Sequence, residues 1–246
     1  MEHGSRVAAR IALAVFISTA AAILLTAVGC ATIRLGEDYT PRLSSRTMHA
    51  EDEIKSVDTG SAILVLDYLD SRAERARIDA KPEDTFLLQE ARHYGNPHFV
   101  WSQRFFTYSL SNKTLGQYLA DSLVFELKRM KIPVSLPTAE RSIFSGSFEG
   151  HSYNQRFVIG IELLRFRPDY KPGFSTVTPY YIYTTRLKLW DAEYARLILD
   201  ETIDKVIEDT PANITFHYMI YMQMNDHLCE YNLELIRVIS AALSAH

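Results

Sequence analysis

Cysteine is nearly absent from this chain: two residues in 246, Cys30 and Cys229. That excludes a disulfide-stapled scaffold. There is neither a paired C-x-x-C nor an H-E-x-x-H, so no zinc site is written into the sequence. His93 and His98 flank the turn-forming run Tyr94-Gly95-Asn96-Pro97, and His151 is the third member of the nearest thing to a metal set; scattered surface histidines are the plainer reading. Basic residues are not in excess either. With 26 Lys+Arg against 30 Asp+Glu and a net charge of −4, the chain lacks the cationic footprint of a nucleic-acid binder. Catalytic signatures are missing as well. No G-x-S-x-G elbow occurs, and Ser145-Gly146-Ser147 falls in an expected strand rather than at a strand-to-helix turn. The acid pairs Asp67 with Asp70 and Glu51 with Glu53 would do acid–base work only if one cleft held their pKa values apart, and neighbouring carboxylates on loops are usually solvated. We therefore assign no catalytic residue, no cofactor and no metal ligand, and expect a protein that is not an enzyme. No internal repeat or low-complexity segment is present.

What the chain does have is an uncharged run from Ile11 to Val28, preceded by Arg6 and Arg10 and ending in Ala27-Val28-Gly29-Cys30. Positive residues, an apolar stretch and small residues before a cleavage point are the three parts of an export signal. The tetrapeptide resembles the lipobox of bacterial lipoproteins, in which the chain is cut before the cysteine and its sulfur carries diacylglycerol. Ala27 departs from the usual Leu, Val or Ile at that place. The alternative is an uncleaved transmembrane helix. Length does not separate the two, since a span needs about 17 to 25 apolar residues and a signal core about 7 to 15. The alanines Ala20, Ala21, Ala22 and Ala27 and the position of Cys30 favour lipidation. Acyl chains burying methylenes at ~0.8 kcal/mol each would hold the protein on a membrane. By the sorting habit of enterobacterial lipoproteins, Ala31 rather than Asp after the cysteine points to the periplasmic face of the outer membrane.

These features divide the chain into a signal peptide over 1–29, a polar tether over 30–60 and one domain over 61–246. A flexible tether of that length reaches ~30 Å; the alternative is that Tyr39-Thr40-Pro41 packs on the domain as an edge segment. The domain is expected to be α+β, with a mixed or antiparallel sheet, one amphipathic helix after the first strands, a β-hairpin and a C-terminal helix. Ala62 to Leu66 is a short apolar run bounded by turn residues, as in a buried strand. Asp70 to Arg77 mixes charges and suits an exposed loop or short helix. Its three arginines, Arg72, Arg75 and Arg77, form either an anion-binding set or a solvated face.

The clearest helix is expected from Thr114 to Lys131. Thr114 and Gln117 are spaced as a capping box, Leu115, Leu119, Leu123, Leu127 and Met130 make one apolar stripe, and Gln117, Asp121, Glu126, Lys128 and Arg129 project elsewhere. Ile132-Pro133 stops it. Strands are expected over 143–149 and 157–166, with Pro168 ending the second because it has no amide proton for the ladder. From Pro179 to Val206 the alternation of Tyr181, Tyr183, Thr185, Leu187 and Leu189 with Ile182, Thr184, Arg186, Lys188 and Trp190 reads as a hairpin turning at Asp191-Ala192-Glu193. Tyr170, Phe174, Tyr180, Tyr181, Tyr183 and Trp190 form an aromatic-rich stretch suited to stacking on a sugar or lining a lipid groove, or simply to strand formation. Tyr221, Met224, Leu228, Tyr231, Leu235, Ile239 and Ala242 repeat as one face of a terminal helix, in which Cys229 is a buried small hydrophobe.

In this order the elements resemble the YajG-type family of bacterial lipoproteins. The likeness is carried by the signal with Cys30, Tyr39-Thr40-Pro41, the strand Ile63 to Leu66, Tyr94-Gly95-Asn96-Pro97, the phrase from Thr114 to Leu123, and the hairpin at Trp190-Asp191-Ala192. Auxiliary lipoproteins of lipid-handling ABC transporters share a similar layout. The stretch Asp67 to Arg92 and the long terminal helix depart from the pattern. The resemblance implies a membrane-anchored envelope protein that acts by binding, with an envelope protein as partner, or alternatively an auxiliary subunit of a lipid or solute ABC transport complex. It transfers a single site residue, Cys30.

Overall fold

The computed structural model describes residues 31–36, 38–41, 47, 54, 63–80, 91–103, 106–135, 155–173, 176–208, 212–213 and 224–245. Within these the fold is the expected α+β. Its strands are β1 (Ala31–Arg34), β2 (Ile63–Asp70), β3 (Phe99–Gln103), β4 (Phe106–Ser109), β5 (Val134–Ser135), β6 (Phe157–Pro172), β7 (Thr176–Asp191), β8 (Arg196–Glu208) and β9 (Ala212–Asn213). Its helices are α1 (Arg72–Asp79), α2 (Leu115–Arg129) and α3 (Met224–Ser244). The main sheet runs β5-β2-β6-β7-β8, with β9 on the start of β7. It is mixed: β2 lies parallel to β5 and β6, whereas β6, β7 and β8 form an antiparallel meander. A smaller sheet has the order β1-β4-β3.

Helix α2 begins as its sequence dictates. The Gln117 amide donates to Thr114 Oγ1 at 3.2 Å and the Thr114 amide donates to Gln117 Oε1 at 2.9 Å, so two of the orphan donors of the first turn are satisfied. Gly116 permits its docking, because a Cβ there would lie 2.3 Å from the carbonyl oxygen of Tyr68 on β2. At the other end Lys131 takes a left-handed conformation (φ 62°), and the amides of Lys131 and Ile132 return to the carbonyls of Lys128 and Leu127, a Schellman closure. Leu115, Leu119, Leu123 and Leu127 are buried beside Leu228, Tyr231, Leu235 and Ile239 of α3 and the inward row of β7.

The meander matches its period-2 pattern. Tyr181, Tyr183, Thr185, Leu187 and Leu189 are buried, and the residues between them are partly exposed. Tyr183 stacks on Tyr231 of α3 at 4.4 Å, and the Thr185 and Tyr231 hydroxyls meet at 2.5 Å. The turn is organised by buried Asp191, whose Oδ1 accepts the amides of Glu193 and Tyr194 while Oδ2 faces Arg156.

Three expectations need amendment. Pro168 does not end β6, which continues to Pro172. Beyond Leu163 the only strand paired with β6 among the described residues is β7, so its opposite edge needs no amide proton and proline is tolerated there. Glu126 does not project outward but is fully buried. The charged stretch after Asp70 does form a short helix, Arg72–Asp79, but Arg72 lies in the interior, 1% exposed. In the segment 31–41, where the sequence left a tether or a packed edge open, Ala31–Arg34 pairs in parallel with β4, and Leu35 and Tyr39 are buried. The strand expected over 143–149 and residue Tyr221 lie outside the described residues.

Candidate functional site

The candidate site is a groove of about 520 Å³ between α1 and the face of the β6-β7-β8 meander that points away from the core. Its α1 wall is held by one buried arginine. Arg72 donates from Nε and Nη2 to the Asp70 carboxylate, both at 2.8 Å, and to the main-chain carbonyls of Val100 at 2.6 Å and Phe99 at 2.8 Å. Its guanidinium lies 4.5 Å from the centroid of the Tyr94 ring. A planar cation with a fixed fork of donors fits such a set, as a lysine would not. A single side chain therefore ties β2, α1, β3 and the segment at Tyr94 together.

The sheet supplies the floor. Between Leu163 and Arg165 the pairing of β6 with β7 slips by one residue. Such a bulge breaks the in-out alternation and re-aims side chains. Leu163 remains in the core, while the consecutive residues Leu164 and Arg165 both border the groove, beside the buried Phe166. The register then aligns Arg165 with Thr184, and Thr184 with Asp204, in one row across three strands. Thr184 Oγ1 donates to Asp204 Oδ1 at 2.6 Å. Arg75, half-exposed, pairs with Asp79 at 2.9 Å, and Arg167 with Asp169 at 3.2 Å. Among the described residues Arg165 forms no ion pair or side-chain hydrogen bond. The groove thus has Arg165 and Arg167 on its β6 side, the Arg75–Asp79 pair on its α1 side and the Asp204 carboxylate on its β8 side.

A second polar cluster lies on the core side. Glu126 accepts the Tyr39 hydroxyl at 2.8 Å and Arg129 Nε at 2.7 Å, while Arg129 Nη2 lies 3.8 Å from Cys229 Sγ. Burial, with the nearby Glu126 charge adding to it, pushes the Cys229 thiol up to about 12. A thiol so held is protonated and a poor nucleophile. Desolvation likewise raises the Tyr39 hydroxyl far above its ordinary value. This cluster fastens the N-terminal segment to α2 and α3 and offers no reactive group.

The other residues singled out from the sequence do not converge. His93 stacks on Phe99 at 5.4 Å, and His98 Nδ1 faces the Lys113 carbonyl at 2.8 Å; His151 lies outside the described residues. Among the described residues no group of His, Cys, Asp and Glu is arranged to hold a metal ion. Asp70 is bound to Arg72, whereas Glu51, Glu53, Ser145 and Ser147 are not described. The aromatic-rich stretch is divided by the sheet, with Tyr181 and Tyr183 in the core and Tyr180 and Trp190 on the opposite face. Of the three arginines read as either an anion-binding set or a solvated face, Arg72 is buried, Arg75 is exposed along the groove and Arg77 is exposed. Cys30 lies outside the described residues. Sequence reading missed Arg165 and Asp204 as site residues, since 39 positions separate them and only strand register makes them neighbours.

No family model matches the chain, and no curated protein does. Solved structures to which it is similar include a Xanthomonas campestris protein of family-model DUF330, with TM-score 0.48, 15% identity, and coverage of 87% of this chain and 97% of that one. A minor lipoprotein from Acinetobacter baumannii is similar with TM-score 0.30 and 15% identity over 50% of this chain and 83% of that one. A hypothetical protein from Chlamydia trachomatis is similar with TM-score 0.36 and 12% identity over 55% of this chain and 88% of that one. Among the described residues no helix is long and apolar enough to cross a membrane.

Proposed function

We propose that this protein is a cell-envelope lipoprotein, fastened through an acylated Cys30 and acting by binding rather than by catalysis. The observation that carries the reading is the order of Arg6 and Arg10, the apolar run Ile11 to Val28, and Ala27-Val28-Gly29-Cys30. The groove supports the second half. It has charged and hydroxyl groups for recognition, while the thiol nearest to a charged cluster is held protonated. Ala31 after the cysteine favours the outer membrane, with the folded part in the periplasm.

β1 begins at Ala31, one residue past the anchor. On this reading the lipid is joined directly to a strand of the smaller sheet, and the domain sits against the bilayer rather than on a long leash. Intact-mass measurement on protein extracted from native membranes tests the anchor. The expected mass is that of the chain from Cys30 plus three acyl chains and glycerol, with Cys30→Ser leaving the precursor uncut. A full-length chain with a bare thiol would sink the reading. Crosslinking in the same membranes distinguishes a protein working alone from an auxiliary subunit, because a permease captured in stoichiometric yield supports the transport-complex form.

A further inference from the structure

The groove separates its charges in a way that selects a ligand. Neighbouring strands lie about 4.8 Å apart, so the row Arg165, Thr184, Asp204 sets a cation and a carboxylate two strand spacings, or about 10 Å, apart at their backbones. The cationic flank also includes Arg75, whose Nε is paired with Asp79, and Arg167, paired with Asp169. On the other flank the hydrogen bond from Thr184 occupies only Oδ1 of Asp204, and Thr202 lies beside it. Leu164, Ala76 and Tyr94 supply an apolar margin. A simple anion held by Arg165 would face Asp204 with nothing to neutralise it, and like-charge opposition lowers affinity. A simple cation would face three guanidiniums. A molecule bearing both charges satisfies both flanks, and about 520 Å³ suits something of dipeptide or headgroup size.

We propose that this groove binds a small zwitterion, with its oxyanion on Arg165 between Arg75 and Arg167 and its protonated amine on Asp204. The ligand class is thus a phosphate or carboxylate joined by a short linker to a primary ammonium group. This rests on the reading of the protein as a binder, and it gives that reading a chemistry.

Calorimetric titration of the full-length protein, purified in detergent, with four probes tests it: phosphoethanolamine, glycylglycine, inorganic phosphate and ethanolamine. At least one zwitterion should bind tenfold or more tightly than either single-charge probe. Phosphoethanolamine alone would identify a headgroup-type phosphate ester, and glycylglycine alone a peptide; either supports the proposal. Arg165→Gln should weaken zwitterion binding at least tenfold. Asp204→Asn should do the same while leaving phosphate binding unchanged or stronger. Arg165 is exposed, so its variant should keep the parent circular dichroism and melting temperature. Equal affinity for phosphate and zwitterions, no binding of any probe, or binding indifferent to both substitutions would overturn the proposal. The anchor is judged separately by mass: an acylated protein that binds no probe refutes the groove alone, and a bare Cys30 on a chain that binds zwitterions refutes the anchor alone.

Discussion

Helix α1 packs on β6 and helix α2 on β2 and α3, but by opposite means. α2 presents a stripe of four buried leucines to α3 and the sheet, closes its first turn with a capping box and its last with a Schellman motif. α1 buries one residue, Arg72, and exposes most of the rest. Apolar packing is spread over many small contacts, so that no single atom decides it. A buried charge concentrates the dependence in one side chain, because desolvating it is tolerable only while every partner is in place.

The largest effect should come from breaking that concentration. Arg72→Leu leaves the Asp70 carboxylate, 15% exposed, without its partner, and removes the donors to two buried carbonyls. A loss of about 3–5 kcal/mol in urea unfolding is expected, as for other severed buried pairs. Arg72→Lys should recover little, since an ammonium cannot reproduce the fork. Leu123→Ala in the middle of the α2 stripe should cost about 2–5 kcal/mol through its cavity. The sharper contrast between the two helices is rescue: another apolar side chain, Leu123→Met, should restore most of that loss, and nothing but arginine should do so at position 72.

Next in size is the cap. Thr114→Ala removes the acceptor for the Gln117 amide and should cost about 1 kcal/mol, seen as a lower urea midpoint with an unchanged slope. Smallest is the exposed counterpart of the Arg72 pair. Arg186 bonds Asp200 at 2.7 and 2.8 Å across β7 and β8, and its hydrogen bonds and charge, with that of Lys188, hold the Asp200 carboxyl below its ordinary value. A carboxyl lowered on folding adds stability above its unfolded pKa, near 4, and that increment fades as the pH falls below it through the folded value. Because Arg186 is 42% exposed, solvent screens the pair, and Arg186→Gln should change stability at pH 7 by less than about 1 kcal/mol. The difference between the two proteins should vanish toward pH 2.

The same contrast explains what could be read in advance. Leu115 to Met130 and Met224 to Ile239 announce themselves because helix geometry turns spacing in the chain directly into a face. The hairpin from Pro179 to Val206 does so because strand period does the same. The burial of Glu126 is not legible in its spacing, for a physical reason. Its burial depends on Tyr39, 87 residues away, and on Arg129 supplying the countercharge. The burial of Arg72 is hidden likewise, its partners Phe99 and Val100 lying on β3.

From sequence came the α+β class, the two amphipathic helices, the capping box and the hairpin, all encoded in spacings of a few residues that backbone geometry converts into faces. Tertiary structure alone decided that β1 pairs with β4, that Arg72 lies in the interior, and that Arg165, Thr184 and Asp204 share one row. Register between strands is set by side chains and turns far apart in the chain, and a one-residue slip such as that after Leu163 changes which residues face one another.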